Sequence, residues 1–579
     1  MKKLWLFAGL LGLCVFLVWM ILVKENHPDT SSVASYAPYL AFRGDIAPSW
    51  SPDDKQIIFS RGDPERQDLY LIPADGGTSR PFLNGDGGLP VWSPDGTRVA
   101  FSSQRSGKFH IMTAIGLAHP INIWSANSSG DDVRQVTDSH ANFVDACWSP
   151  DGTHLAFTAY PGPRVMTVSA SGGEAKFFAD GFSPAWSPDG KRLAYFSGPS
   201  GQPASRLSIF IRPTEGGTAK QLNSLVIQTG ISFRPILDWS PDGKRLLSVR
   251  YENGQWQPVV INEREDKIES TLVTTGSSIY PRWSHDGKRI VYGLTDTSHP
   301  PNIEVMTVAS GQRTPLTTSS SHTAAELIRY KSAGGLEIPS WLYLPPGSAA
   351  KHPALVWLHG GWPGSGSMSN EFDRSIRYFV DHGFVVLAPN YRGSAGFGDD
   401  LARLQQGDDI VPDIVAGVNY LKGLESVDPA RIGVIGFSFG GFLALRSITQ
   451  QPELFAASVD FYGLSDLTRY YHDNPSTRAA LSQLLGGTLE QNPGAYRAAS
   501  PINFVDRIKT PLLILHGTSD PSAPYSYSVE LAKALKRSHK NYEFLAYPFA
   551  GHGFYGKDEI DANQQVMRFL LAHMKEPHS

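Results

Sequence analysis

The segment Arg431–Leu445, RIGVIGFSFGGFLAL, runs as an apolar stretch into Gly436, places Ser438 at a tip, and leaves through Gly440 and Gly441 into a second apolar stretch. It predicts a strand, a sharp turn and a helix. A structural serine needs no such setting, but a nucleophile does: G-x-S-x-G between strand and helix is a nucleophile elbow. The small residues let the two elements approach closely. Ser438 Oγ is then held above a sheet beside a helix N-terminus, where the dipole favours developing negative charge. The neighbouring apolar runs agree. LEIPSWLYLPPG, PALVWLHGG, GFVVLAPNYRG, FAASVDFYG and PLLILHGTSD alternate with helical patterns such as DDIVPDIVAGVNYLKGL and YSYSVELAKALKRS. The later runs are continuous rather than alternating, as in parallel strands covered on both faces. The expected fold of residues 323–579 is therefore a doubly wound, mostly parallel α/β sheet.

Before it the pattern is different. A motif recurs six times around Trp50, Trp92, Trp148, Trp186, Trp239 and Trp283, from PSWSPDDKQIIFS to PRWSHDGKRIVYG. Tryptophan and an Asp-Gly turn at a period of roughly 40–50 residues predict the blades of a β-propeller. Proline presets one turn dihedral and glycine accepts positive φ, so SPDG joins two strands tightly. Stretches such as KRLAYF alternate as half-buried strands do. Three or four strands per repeat and six repeats make a closed ring over 35–322, which removes exposed edges. The stretch APYLAFRGDIA ahead of the first motif offers a strand to close that ring. The motif aspartates are read as turn formers. A polar run, SGQRTPLTTSSSHT at 310–323, links the two domains.

A serine hydroxyl needs a base. In a hydrolase of this class the partners follow in the order Ser, Asp, His. Asp520 stands just beyond the buried run LLILHG, and His552 lies between Gly551 and Gly553 in a loop after FLAY. His552 is assigned as general base and Asp520 as the carboxylate that fixes its tautomer. His516 reads as structural, Asp466 as a turn or cap residue, and His573 belongs to the terminal helix. The oxyanion donors are expected to be the backbone N–H groups of Phe439 and, in the LHGGWPG turn, of Gly361, with Gly360 the second choice.

The 579 residues exceed one core. A net charge of −4 with no block of like charge gives no reason to expect nucleic acid as a partner. Cys14 and Cys147 form no expected disulfide pair. Lys2 and Lys3 precede a stretch without charge from Leu4 to Val23. As a helix it spans about 30 Å, the thickness of a bilayer core. Cleaved signals carry shorter apolar regions, so residues 1–34 are read as a cytoplasmic tip, one signal-anchor transmembrane helix over 4–23 and a linker, with a removed signal peptide as the alternative. The catalytic part should then lie exported, on the periplasmic or extracellular side.

A propeller followed by HGG, NYRGSAGFG, GFSFGG, HGTSD and GHGF resembles the prolyl oligopeptidase family of serine peptidases, nearest its acylaminoacyl-peptidase-like branch. The repeats resemble TolB-type propellers over about 36–318. The resemblance implies an exo- or oligopeptidase on short peptides, with the propeller refusing folded proteins, and it carries the family's triad onto Ser438, Asp520 and His552. Trp362 stands where that branch has proline after HGG, which bears on the Gly361 donor. The helix carrying Asp413 lacks the tryptophan expected before its glycine. The chain has no adjacent Glu-Glu pair, which disfavours dipeptidyl-peptidase specificity. The same triad would serve a carboxylesterase, and a propeller binding module without catalysis is the third reading. No cofactor and no metal are expected: the histidines show no ligand spacing. Short peptides and, through the N-terminal helix, the membrane are the expected partners; the oligomeric state is left open.

Overall fold

In all six repeats the serine after the tryptophan turns back on the aspartate two residues later. Ser51, Ser93, Ser149, Ser187, Ser240 and Ser284 donate to Asp53, Asp95, Asp151, Asp189, Asp242 and Asp286 at 2.5–2.7 Å. Each of those carboxylates also accepts the backbone N–H two residues on. The hydroxyl first, and then the backbone donor, hold Asp53, Asp95 and Asp151 below the usual carboxylate range. These aspartates are saturated by their own turns, which is the behaviour of turn formers.

The computed structural model describes residues 44–574 apart from 64–65, 86, 106–119, 140, 161, 199–206, 228–235, 273, 348–350 and 405–408. The expected membrane segment lies outside the described residues, and no helix among them is long and apolar enough to cross a membrane. The repeats form six four-stranded antiparallel sheets at 44–83, 88–135, 142–180, 182–227, 238–271 and 277–315. Each sheet uses four strands consecutive in sequence. The strand Gly44–Trp50, which takes in the end of APYLAFRGDIA, belongs to the first blade; residues 37–43 of the stretch expected to close the ring lie outside the described residues.

Hydrogen bonds cross the seam between first and last blades. Trp148 and Trp239 donate their indole N–H to the carbonyls of Val91 and Ala185, the residues just before the tryptophan of the preceding blade. Trp50 makes the same bond to Arg282 O at 3.1 Å, across 232 residues of chain. The two repeats that depart from SPDG meet at this seam. Asp54 replaces the glycine of the first repeat and takes its left-handed conformation, φ 56°. His285 replaces the proline of the sixth. Asp54 accepts from His285 N at 2.8 Å, lies 2.9 Å from His285 Nδ1, and accepts from Asp286 N at 2.9 Å. A proline at 285 has no N–H to give.

The second domain is an eight-stranded sheet. Its spatial order is Glu326–Lys331, Glu337–Tyr343, Val385–Pro389, His352–Leu358, Val427–Phe437, Ala457–Phe461, Leu512–Gly517 and Tyr542–Tyr547. The first two join antiparallel and the rest run parallel. The strand Val385–Pro389 is VVLAP, buried at every residue, as continuous apolar runs demand. Two apolar cores cover the faces, one built around Val356, Val434 and Ile514, the other around Leu355, Ile435 and Leu513. Alternate residues of the same strands thus point to opposite cores.

The fifth and sixth blades dock on loops and on the helix Arg374–Asp381 of this domain. Tyr251 Oη lies 2.8 Å from Ser367 Oγ, Asn370 N donates to Gly254 O, and Arg377 donates twice to Thr297 O. A Cβ at Gly396, within GSAGFG, would lie 2.0 Å from the Tyr251 ring, so this glycine of the motif makes room for the propeller.

Candidate active site

The strand Val427–Phe437 ends at the turn, and the helix Phe439–Gln450 begins directly after it. Close approach dictates the glycines. A Cβ at Gly436 would lie 2.1 Å from Gly440 O, and one at Gly440 would lie 2.1 Å from Leu358 O. Ser438 itself is held at φ 55°, ψ −115°, an unfavourable conformation for a residue with a Cβ. Its N–H is tied to Phe461 O at 2.9 Å. The turn is therefore strained, and its side chain stands at the helix N-terminus above the carboxyl ends of the strands, where ligands meet this class of sheet.

The sheet neighbours bring the distant residues to it. After the strand Leu512–Gly517 the chain turns and presents Asp520; after Tyr542–Tyr547 it presents His552. The two loops are zipped together: Thr518 N donates to Tyr547 O, Ser519 N to Ala550 O, and Phe549 N to Thr518 Oγ1. A Cβ at Gly517 would lie 2.3 Å from Ala550 O, so only glycine permits the crossing. His552 Nδ1 lies 2.7 Å from Asp520 Oδ2, and His552 Nε2 lies 2.9 Å from Ser438 Oγ. A carboxylate only accepts, so Nδ1 carries the proton and Nε2 is free to accept the serine proton. The three side chains read from the sequence thus meet in one chain of hydrogen bonds. Phe439 N–H and Gly361 N–H carry no hydrogen bond among the described residues, and Gly361 stands at φ 94°.

Asp520 is placed to stay ionised. Its side chain is fully buried, which alone would raise its pKa, but hydrogen bonds from His516 and His552 outweigh that and hold it at about 2. Oδ1 accepts from Ser522 N at 2.8 Å and Ala523 N at 2.9 Å. The role of His516 was not legible in the sequence. Its Nε2 lies 2.8 Å from Ala523 O and 3.3 Å from Asp520 Oδ2, both acceptors, so the proton sits on Nε2. Nδ1 accepts from Ser528 Oγ at 2.7 Å. The spacing of His516 four residues before Asp520 was the available signal, since the two stand close together at the end of one strand. Asp466 caps the helix Leu467–Asp473, accepting from Thr468 N and Arg469 N, and His573 ends the helix Gly556–His573, as read.

Aromatic rings wall the site. Tyr462, at φ 45°, packs its ring 4.6 Å from that of His552. Trp362, the departure after HGG, packs 5.4 Å from Phe439 and 5.8 Å from Tyr470. Its ring therefore lies against the residue whose N–H follows the nucleophile. Among the described residues no group of three or more His, Cys, Asp or Glu side chains is arranged to hold a metal ion.

Residues 370–577 match the model of the prolyl oligopeptidase family. An uncharacterized peptidase of Bacillus subtilis, YtmA, is 29% identical over 258 residues, covering 44% of this chain and 95% of its own. A second uncharacterized peptidase of that organism, YuxL, is 24% identical over 587 residues, covering 87% of this chain and 86% of its own. A puromycin-hydrolyzing peptidase of Mycobacterium tuberculosis shares the fold, with a TM-score of 0.74 at 20% identity, over 95% of this chain and 97% of that one.

Proposed function

We propose that this chain, a serine peptidase of the prolyl oligopeptidase family by its C-terminal domain, cleaves short peptides by acyl transfer through Ser438, His552 and Asp520. One observation carries the reading: His552 bridges Ser438 Oγ and Asp520 Oδ2 at 2.9 and 2.7 Å. Ser438 Oγ attacks the scissile carbonyl while its proton passes to His552 Nε2. Asp520, ionised in its buried seat, stabilises the imidazolium. The oxyanion forms within reach of Phe439 N–H and Gly361 N–H, which have no competing acceptor among the described residues. The amine leaves with the proton from Nε2. Water, deprotonated by the same nitrogen, then splits the acyl-enzyme and frees Ser438.

Short substrates suit a site whose domain has a propeller docked on it through blades five and six. The mycobacterial neighbour is named for hydrolysing puromycin, which is in keeping with a small substrate here. The stretch Leu4–Val23 behind Lys2 and Lys3 supports a membrane anchor with the catalytic part exported.

The test compares native protein with Ser438→Ala on N-acylated and free peptide anilides and on a short acyl ester. The native protein should turn over the anilides and label with a fluorophosphonate. The variant should lose both while its thermal midpoint stays within a few degrees. Turnover of esters alone would reject the peptidase assignment of the site, and an active Ser438→Ala would reject the nucleophile. Fractionation of cells with protease protection checks the anchor.

A further inference from the structure

A peptide plane is rigid, so holding one carbonyl aims the next residue's N–H in the opposite direction. In the HGG loop two successive carbonyls are held. Tyr391 Oη donates to His359 O at 2.7 Å, and His359 Nδ1 lies 2.8 Å from Gly360 O. A carbonyl only accepts, so His359 carries its proton on Nδ1. The other ring nitrogen, Nε2, lies 2.9 Å from Ser394 Oγ and accepts its hydroxyl proton. The ring is buried and stacked on Tyr391 with centroids 4.3 Å apart and planes 9° from parallel. Burial, only partly offset by the bond to Gly360, lowers its pKa to about 4, so it is neutral at physiological pH.

The surroundings are built around this contact. A Cβ at Gly366 would lie 2.2 Å from Gly360 O and 2.9 Å from His359 Nδ1. The position of a Cβ on Gly360 lies 3.2 Å from Ser438 Cβ, so the held peptide borders the nucleophile. Ser394 comes from the NYRGS stretch, 35 residues away, and is fully buried.

We infer that His359 is a positioning residue for transition-state stabilisation: its Nδ1–H fixes the Gly360–Gly361 peptide so that Gly361 N–H faces the oxyanion, and Ser394 keeps the proton on that nitrogen. The inference rests on the reading of Gly361 as an oxyanion donor. Without Ser394, the imidazole proton is free to move to Nε2. A lone pair on Nδ1 then faces Gly360 O, and the peptide turns away.

The experiment uses Ser394→Ala, His359→Leu and His359→Asn in the full chain. The readouts are kcat and KM on a peptide anilide, inhibition by a peptide boronate as transition-state mimic, and inhibition by the product peptide. Ser394→Ala and His359→Leu should each lower kcat by about tenfold or more, with KM within about twofold, since loss of an oxyanion donor costs about 100-fold or more and misalignment a part of it. Boronate affinity should fall by the same factor while product affinity holds. Asparagine places an amide donor near the lost Nδ1–H and should restore most of kcat.

Native kcat in both Ser394→Ala and His359→Leu, or equal losses of boronate and product affinity, would overturn the inference. So would an asparagine variant no better than leucine. Should the leucine variant fail to fold, Ser394→Ala, which removes one hydroxyl, decides alone. An active Ser438→Ala would instead strike the underlying triad reading, so the two failures are told apart.

Discussion

Asp520→Asn changes one atom, and the structure says why it is not conservative. The carboxylate faces four donors and no acceptor: His552 Nδ1 and His516 Nε2 at Oδ2, Ser522 N and Ala523 N at Oδ1. An amide has one accepting end. If its NH2 faces the imidazoles, His552 must present a lone pair at Nδ1, its proton moves to Nε2, and it can no longer take the proton of Ser438. If the amide is reversed, its NH2 meets two backbone N–H groups. A triad with the wrong tautomer loses about 10⁴ in kcat, or about 5 kcal/mol of barrier. Unsatisfied donors cost about 1–3 kcal/mol of stability as well, a fall of several degrees in thermal midpoint.

The pH dependence gives a second readout. The native Asp520 pKa of about 2 lies below its ordinary value, so its contribution is present above about pH 4 and fades as pH falls toward 2. That is about 2 kcal/mol, and the variant should lose this slope. The assays are steady-state kinetics at pH 7–8 and thermal melts from pH 2.5 to 7. An Asp520→Asn protein with more than about a tenth of native kcat would refute the reasoning.

Two further outcomes follow from other parts of the molecule. Asp460 is fully buried, with Oδ2 unpartnered among the described residues, and burial, offset partly by His516 and Gly463 N–H, lifts its carboxyl to about 7. A raised acid stabilises the fold below about pH 4 and loses that contribution as pH climbs through 7. Melts should therefore show the midpoint difference of Asp460→Asn over native growing from pH 5 to pH 8; a flat difference would sink the argument. At the propeller seam, His285→Pro removes one backbone and one side-chain donor to Asp54 and should cost about 1–2 kcal/mol. Asp54→Gly relieves the left-handed strain while losing the same bonds, so the double variant should cost less than the two singles together, by about 1 kcal/mol. Strict additivity in urea melts would show that the two positions do not act as a pair.

Much of the fold was legible because its signals are local. SPDG turns are satisfied within five residues, so the blades could be counted from the chain. Buried parallel strands must be apolar throughout, so VVLAP and LLILHG announced themselves. The elbow was legible for a similar reason: Gly436 answers a clash with Gly440 O, between elements adjacent in sequence. That the ring closes was legible, but the bonds across its seam were not: Asp54 and His285 are two breaks in a repeat that only make sense once residues 231 positions apart are seen to touch.

Ser438, Asp520 and His552 could be named from residue type, order and turn context alone, and so could two domains, because each rests on short-range sterics or a fixed chemical requirement. What the amino-acid order left open is everything decided by direction. Whether His516 reinforces Asp520, whether His359 aims a peptide, and which propeller loops lean on GSAGFG are set by where hydrogen-bond donors point once distant strands lie side by side. A hydrogen bond is lost within about an ångström or a few tens of degrees, and only the folded chain holds those tolerances.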